Sequence, residues 1–377
     1  MSRVLVLGGG FGGLAAADAL RARLSDADEI VVVDRQKTFM MGLRKSWVLV
    51  GSGTIEEGER SLDGLKGRGV SVVTGEITRI DPDARAVEVD GRRMDADALV
   101  VALGAARVPE AIPGFAAHTH NAYDRASIGR TAQALREFRG GVIAVGIFGV
   151  PYTCPPAPYE LAFLVNDLMR RRGLAAKVEV FTPQPVSLPV IGQAGCDLLE
   201  GRLAEEGIAF YPDHQAISVE AGEVVFRQGR GRFDLLLGVP PHRCPAVAAG
   251  LIDGGSWVRV DPATMQTRFA GVYAIGDMVE IPLANQMMLP KAGVFAESQA
   301  QVAAAHIAAA FAGGSSDAAF DGEGYCFLEV GGGLAMEVRG DFLARPAPAI
   351  TIEEPLAARL EQKRSFETSH LVKWFGA

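Results

Sequence analysis

Short runs of uninterrupted apolar residues punctuate the chain. Val4-Leu5-Val6-Leu7, Ile30-Val31-Val32-Val33 and Ala98-Leu99-Val100-Val101 are the first three. Runs of that length without polar alternation predict strands buried on both faces, as in parallel sheets. An alanine-rich stretch, Leu14 to Leu24, lies between the first two and predicts a helix. The pattern recurs at Gly141–Gly146, Lys177–Thr182 and Gly271–Asp277, with helical segments at Leu161–Arg171 and Ala292–Phe311. Strands alternating with helices predict an α/β fold with parallel sheets. Near the end, Phe320–Val338 reads as two short strands around Gly331-Gly332-Gly333, a hairpin signal. A charged helix is expected over Pro355–Thr368, followed by Leu371–Gly376, where Trp374 and Phe375 suit either contact with a membrane face or packing against the first domain or a second subunit.

Composition narrows the class. A chain of 377 residues with 49% apolar and 22% charged positions is globular and long enough for about two to three domains. The net charge of −8 gives no basic stripe for a nucleic-acid partner. Four cysteines do not make a disulfide scaffold. The strand beginning at Val4 leaves no room for a signal peptide, and no apolar stretch reaches membrane-spanning length. A cytoplasmic protein is therefore expected. The mean hydropathy of +0.17 leaves contact with the inner face of a membrane open.

The chemistry starts at VLVLGGGFGG. A buried strand runs into Gly8-x-Gly10-x-x-Gly13, a helix follows, and the second strand ends at Asp34. Gly8 suits the tight turn, Gly10 a close approach to a pyrophosphate, and Gly13 close packing of helix on strand. The helix N-terminus offers N–H donors to phosphates, and Asp34 is placed for a ribose hydroxyl pair. The acid favours FAD or NAD over NADP.

Asp97–Gly104, the Ile112-Pro113-Gly114 that follows, and Gly271–Asp277 complete a trio of motifs with the glycine start. The trio resembles the two-dinucleotide-binding-domain flavoproteins, the pyridine nucleotide–disulfide oxidoreductase superfamily, over residues 1 to about 310. The resemblance implies two Rossmann-like domains and FAD in the first, with Asp277 on the ribityl chain. It places Gly8, Gly10, Phe11, Gly12, Gly13, Asp34 and Arg35 at the cofactor. Ile77, Ala102, Gly104, Gly276, Asp277 and Lys291 complete that set. The expected layout is a discontinuous FAD domain (1–107 and 259–312), a second Rossmann-like domain (108–258) and a C-terminal cap (313–377).

The second domain has lost its phosphate cradle. After Gly141–Gly146 only Gly149 remains, at the wrong spacing, and Pro151 removes a donor. The following strand ends in Thr182-Pro183 rather than an acid. In place of the fingerprint stands Cys154-Pro-Pro-Ala-Pro-Tyr-Glu160, leading into a helix whose dipole favours a thiolate at Cys154. This segment resembles sulfide:quinone oxidoreductases and the flavin subunit of flavocytochrome c sulfide dehydrogenase. That resemblance implies a second redox cysteine far downstream, where Cys326 lies. Sulfide would open a Cys154–Cys326 disulfide, leaving a persulfide on one cysteine and a thiolate on the other. The thiolate nearer the flavin, by resemblance Cys326, passes electrons to FAD. Cys196 reads as a core residue and Cys244 as incidental.

By the same resemblance, the start of helix Ala292–Phe311 and Lys291 face the flavin pyrimidine edge, stabilising the reduced cofactor. Met40-Met41-Gly42 replaces the cysteine used where the family binds FAD covalently, so FAD is expected to be non-covalent. The implied partners are a sulfide or small-thiol donor and a quinone, ahead of a cytochrome. A homodimer stays open. Six histidines, His118 and His120 among them, show no convergent metal-ligand spacing. Two alternatives remain: a type II NADH:quinone dehydrogenase-like flavoenzyme, and a flavin-carrying redox sensor or electron-transfer subunit.

Overall fold

The computed structural model describes residues 1–376. In chain order its main elements are β1 (Arg3–Leu7), α1 (Phe11–Arg21), β2 (Glu29–Asp34), α2 (Arg44–Val50), β3 (Ser71–Thr74) and β4 (Ala98–Val101). Then come β5 (Gly141–Ile147), α3 (Ala157–Arg171), β6 (Ala176–Phe181), β7 (Leu235–Val239), β8 (Val272–Ala274) and α4 (Gly293–Phe311). β9 (Glu323–Gly331), β10 (Leu334–Asp341), β11 (Ala349–Leu356) and α5 (Ala357–Phe375) close the chain.

The first sheet runs β8-β4-β1-β2-β3, with every pair parallel. Val4 to Leu7 are fully buried in its centre, as an all-apolar strand requires. The register aligns Leu7 with Val33 on one side and Val101 on the other. Gly8, Asp34 and Ala102 therefore emerge side by side at the carboxyl edge of the sheet. That edge is where open α/β sheets bind ligands. β8 reaches this sheet from far along the sequence and sets Ile275 and Gly276 at the same edge.

A second parallel sheet is centred on β5, between β6 and β7, with His120–Asn121 and Ala209–Tyr211 at its edges. Two α/β layers of this kind are what the alternating pattern predicts. The ends differ in detail. α1 starts at Phe11 and α3 at Ala157, each earlier than the apolar periodicity alone marks.

The C-terminal segment departs further. β9 and β10 are longer than expected, joined by three glycines that all have positive φ. A third strand, β11, takes up Pro355, and the helix starts two residues after that proline and runs on to Phe375. Leu328, Val330, Met336 and Val338 enter the core of the second sheet, whereas Phe320, Phe342, Leu371 and Trp374 enter that of the first. The segment ties the two layers together. Of the two readings open for Trp374, packing against the first domain is the one observed: it is only 1% exposed, edge-on against Phe11 and Phe39. Phe375 stacks on Phe39. No helix among the described residues is long and apolar enough to cross a membrane.

Candidate active site

The glycine cradle forms as its spacing demands. Gly10 caps α1, and Gly8 takes φ +108°. A Cβ on Gly13 would lie 1.8 Å from the Gly8 carbonyl oxygen, so only glycine lets the helix start this close to β1. A Cβ on Gly12 would press on Ala296 of α4, whereas one on Gly10 would meet nothing. The Asp34 carboxylate accepts from Gly9 N and Gln36 N, both at 2.6 Å, which fixes its orientation beside the cradle. On the opposite side Gly276 N donates to Gln299 Oε1 at 2.7 Å, and the Asp277 carboxyl accepts no hydrogen bond from the described residues. Burial raises the pKa of that carboxyl, opposed by Lys291, Lys45 and Arg107. A helix N-terminus with open space at Gly10, an acid at the end of β2 and a second acid lacking a protein donor fit FAD.

The remaining expected contacts are distributed unevenly. Ala102 and Ile77 are buried and Gly104 has φ +66°. Arg35 is exposed and pairs with Glu76 at 3.5 Å. The Phe11 ring turns away from the cradle to stack on Phe366 and abut His370 and Trp374 of α5. Lys291 is engaged within the protein. Its ammonium donates to the carbonyls of Asp277 (2.6 Å) and Val279 (3.2 Å) and lies 3.5 Å from the centroid of Trp257. That charge clamps the Gly-Asp turn. Burial lowers its pKa to about 8, against the pull of Asp277.

Lys291 also carries the link to the cysteines. Its carbonyl accepts from Cys154 N at 2.7 Å, beside a parallel bridge between Thr153 and Lys291. The Cys154 backbone is held at φ +50°, a region that residues other than glycine seldom occupy. Such strain persists where surrounding structure enforces it, often at functional sites. α3 begins three residues on, so its N-terminal dipole faces the Cys154 segment. β9 brings Cys326 opposite. The two free thiols lie close enough to shift each other's titration, and Cys326 Sγ is 3.7 Å from the Phe327 carbonyl. The Cys154 residue keeps an exposed surface and Cys326 is half-buried, while protein atoms crowd both thiols.

One proton serves the pair unequally. The Cys326 hydrogen bond, aided by Lys363 and Lys45, lowers the Cys154 thiol pKa against burial and Glu160. Accepting that charge beside it, together with burial, pushes Cys326 well up. Those opposite directions favour Cys154 as the more acidic thiol of the reduced pair. The other cysteines stay apart: Cys196 is fully buried in the helix Gly192–Glu205. Cys244 is half-buried, with its pKa pushed up to about 11 by burial, and lies near Lys291.

Several site residues escaped the sequence. Lys363 of α5 joins Glu160 of α3 (2.6 Å) and Glu329 of β9 (2.8 Å), all three buried. The Tyr123 hydroxyl donates to the Cys154 carbonyl at 3.2 Å, and Lys45 donates to the Tyr123 carbonyl at 3.0 Å. Glu160 stood in the quoted cysteine segment, and a glutamate entering an apolar helix is its only local signal. Around β5 and β6, Phe115, Phe148, Phe181 and Phe226 form an edge-to-face cluster. A Cβ on Gly146 would already strike the Phe181 ring at 2.2 Å.

The chain matches the pyridine nucleotide–disulphide oxidoreductase family over residues 2–309. A mitochondrial sulfide:quinone oxidoreductase of Dictyostelium discoideum is 26% identical over 75% of this chain and 66% of its own length. The Mus musculus protein of the same name is 24% identical over 74% and 66%. The chain thus spans slightly under two thirds of either relative. The solved structure of the sulfide:quinone oxidoreductase from Aquifex aeolicus aligns with a TM-score of 0.89 at 21% identity. It covers 100% of this chain and 92% of that one. The glycine cradle, its two acids and the family match lead to one assignment: the chain belongs to the pyridine nucleotide–disulphide oxidoreductase family, as an FAD-dependent oxidoreductase similar to the sulfide:quinone type.

Proposed function

We propose that the chain oxidises sulfide or a small thiol through the Cys154–Cys326 pair and delivers the electrons to a quinone. The observation that carries this reading is the apposition of the two free thiols beside Lys291 and the Gly276-Asp277 turn. The glycine cradle, Asp34 and Asp277 would hold FAD, which when bound supplies a two-electron acceptor next to the pair.

In the oxidised pair, hydrosulfide attacks one sulfur, the S–S bond breaks, and its electron pair leaves on the other as thiolate. The thiol with the lower pKa leaves faster. Cys154 is that sulfur, with the α3 N-terminus, Lys363 and Lys45 on its side. Attack therefore falls on Cys326, which keeps the added sulfur as a persulfide. This assignment reverses the one the resemblance implies, and the reason is the charge around Cys154. Re-forming the disulfide releases one sulfane sulfur, one proton and two electrons.

The missing glycine spacing after β5 and Pro151 in its place favour this reading over an NADH dehydrogenase. Anaerobic titration with sulfide tests it. The flavin absorbance should bleach and a long-wavelength charge-transfer band should build. Cys154→Ser and Cys326→Ser should each abolish both signals. Bleaching of either variant at the wild-type rate would overturn the proposal.

A further inference from the structure

The departing Cys154 thiolate needs a cation, and one near it is otherwise unemployed. Lys45 on α2 is half-buried, and no carboxylate of the described residues lies within ion-pair distance of its ammonium. The ammonium sits on Tyr123 instead, 3.0 Å from its carbonyl and 5.4 Å from its ring centroid. The same tyrosine holds Cys154 from the other end through its hydroxyl, at 3.2 Å. Tyr123 is buried and braced edge-on by His242, so this connection is stiff.

A desolvated, unpaired ammonium costs stability. Burial brings the Lys45 pKa from 10.5 to about 8, with Arg107 pushing the same way and Cys154, Asp124 and Asp277 opposing. Such a cost is characteristic of working sites. Cys154 in turn faces Cys326, Glu160, Lys363 and Lys45. Two buried tyrosines, Tyr152 and Tyr123, complete its surroundings as neutral neighbours. Lys363 is already shared by Glu160 and Glu329, which leaves Lys45 as the cation with charge to spare.

We propose that Lys45 is a positioning residue: its ammonium, seated on the Tyr123 carbonyl, holds Cys154 as the thiolate that leaves when sulfide opens the disulfide. Its place in turnover rests on the function proposed above, whereas its effect on the thiol stands apart from it. A methionine at position 45 would keep the bulk and remove the charge, and an arginine would keep the charge.

The test is the pH dependence of iodoacetamide alkylation in the reduced, FAD-loaded protein, with Cys154 and Cys244 read separately by peptide mass. Lys45→Met should raise the Cys154 midpoint by about one pH unit. At any pH below both midpoints that slows its alkylation by roughly tenfold. The Cys244 profile should not move, and Lys45→Arg should follow wild type. A Lys45→Met profile that superimposes on wild type overturns the proposal, as does a Lys45→Arg shift equal to that of Lys45→Met. If sulfide fails to bleach the flavin while the shift is present, the sulfide reading falls and the Lys45 assignment stands. If sulfide bleaches it and the shift is absent, the reverse holds.

Discussion

Glu160 and Lys363 form a buried ion pair 2.6 Å long across 203 positions of sequence. Glu160 Oε2 also accepts from Glu329 N at 3.1 Å, and Trp47 Nε1 donates to Glu329 Oε1 at 2.5 Å. One of these carboxylates follows Cys154 in the chain and the other follows Cys326. The C-terminal helix therefore locks the two cysteine arms together through a single ammonium. Lys363→Met would strand two buried carboxylates. Removing one partner of a buried pair costs about 3–5 kcal/mol. Denaturant unfolding of the variant should show a loss of that size, and a loss under about 1 kcal/mol would contradict the lock.

The cradle gives a sharper outcome. Gly13→Ala places a methyl group 1.8 Å from the Gly8 carbonyl oxygen, and backbone cannot yield as a flexible side chain can. The variant should purify with little flavin, read as the ratio of flavin to protein absorbance. Wild-type flavin content would mean that the turn relaxes freely.

NADH should not bleach the flavin under anaerobic conditions in which sulfide does. The Phe148 and Phe181 rings pack directly against Gly146, and the loop after β5 offers Pro151 where a phosphate needs an N–H donor. Rapid bleaching by NADH would return the chain to the dehydrogenase alternative.

A histidine sets one pH limit. His242 Nδ1 donates to the Pro240 carbonyl at 2.8 Å, leaving Nε2 to accept from the Thr153 hydroxyl at 3.4 Å. Burial is the main cause that lowers its pKa from 6.5 to about 4, with Arg107, Lys45 and Lys291 adding to it. Between those values the unfolded chain binds the proton and the folded one does not, so stability rises with pH across that window. The penalty is complete below about 4 and absent above 6.5. It amounts to about 3 kcal/mol. His242→Asn should flatten the stability profile there, relative to wild type, in urea titrations at several pH values.

What the sequence made legible was local. β1, the cradle, α1 and Asp34 fall within one stretch, where strand period, glycine spacing and helix start all agree. Cys154 could be placed before a helix for the same reason. Cys326 needed a family resemblance, since nothing within its strand points to a partner. Lys45, Tyr123 and Lys363 were not legible at all, because a lysine beside polar neighbours reads as solvated surface until tertiary contacts bury it. The charges of α5 are a further case. Arg359, Lys363 and Glu367 look like a water-facing stripe, yet all three are buried, Glu367 against Arg44 at 2.9 Å.

Trp374 concentrates that lesson into a measurement. Its indole lies 4.9 Å from Phe11, the first residue of α1, and 5.7 Å from Phe39, with centroids in edge-on geometry. The C-terminal helix thus braces the helix whose N-terminus forms the cradle. Trp374→Ala removes a large, 1% exposed side chain, for which about 3–5 kcal/mol is the usual cost. Because the loss falls on α1, the flavin should dissociate faster on dialysis as well. Trp374→Phe should restore most of both properties. Flotation with anionic vesicles should be the same for all three proteins, since a buried ring has no lipid contact to lose. A Trp374→Ala protein that keeps its Tm and its flavin but loses vesicle binding would place the indole at the surface and refute the brace.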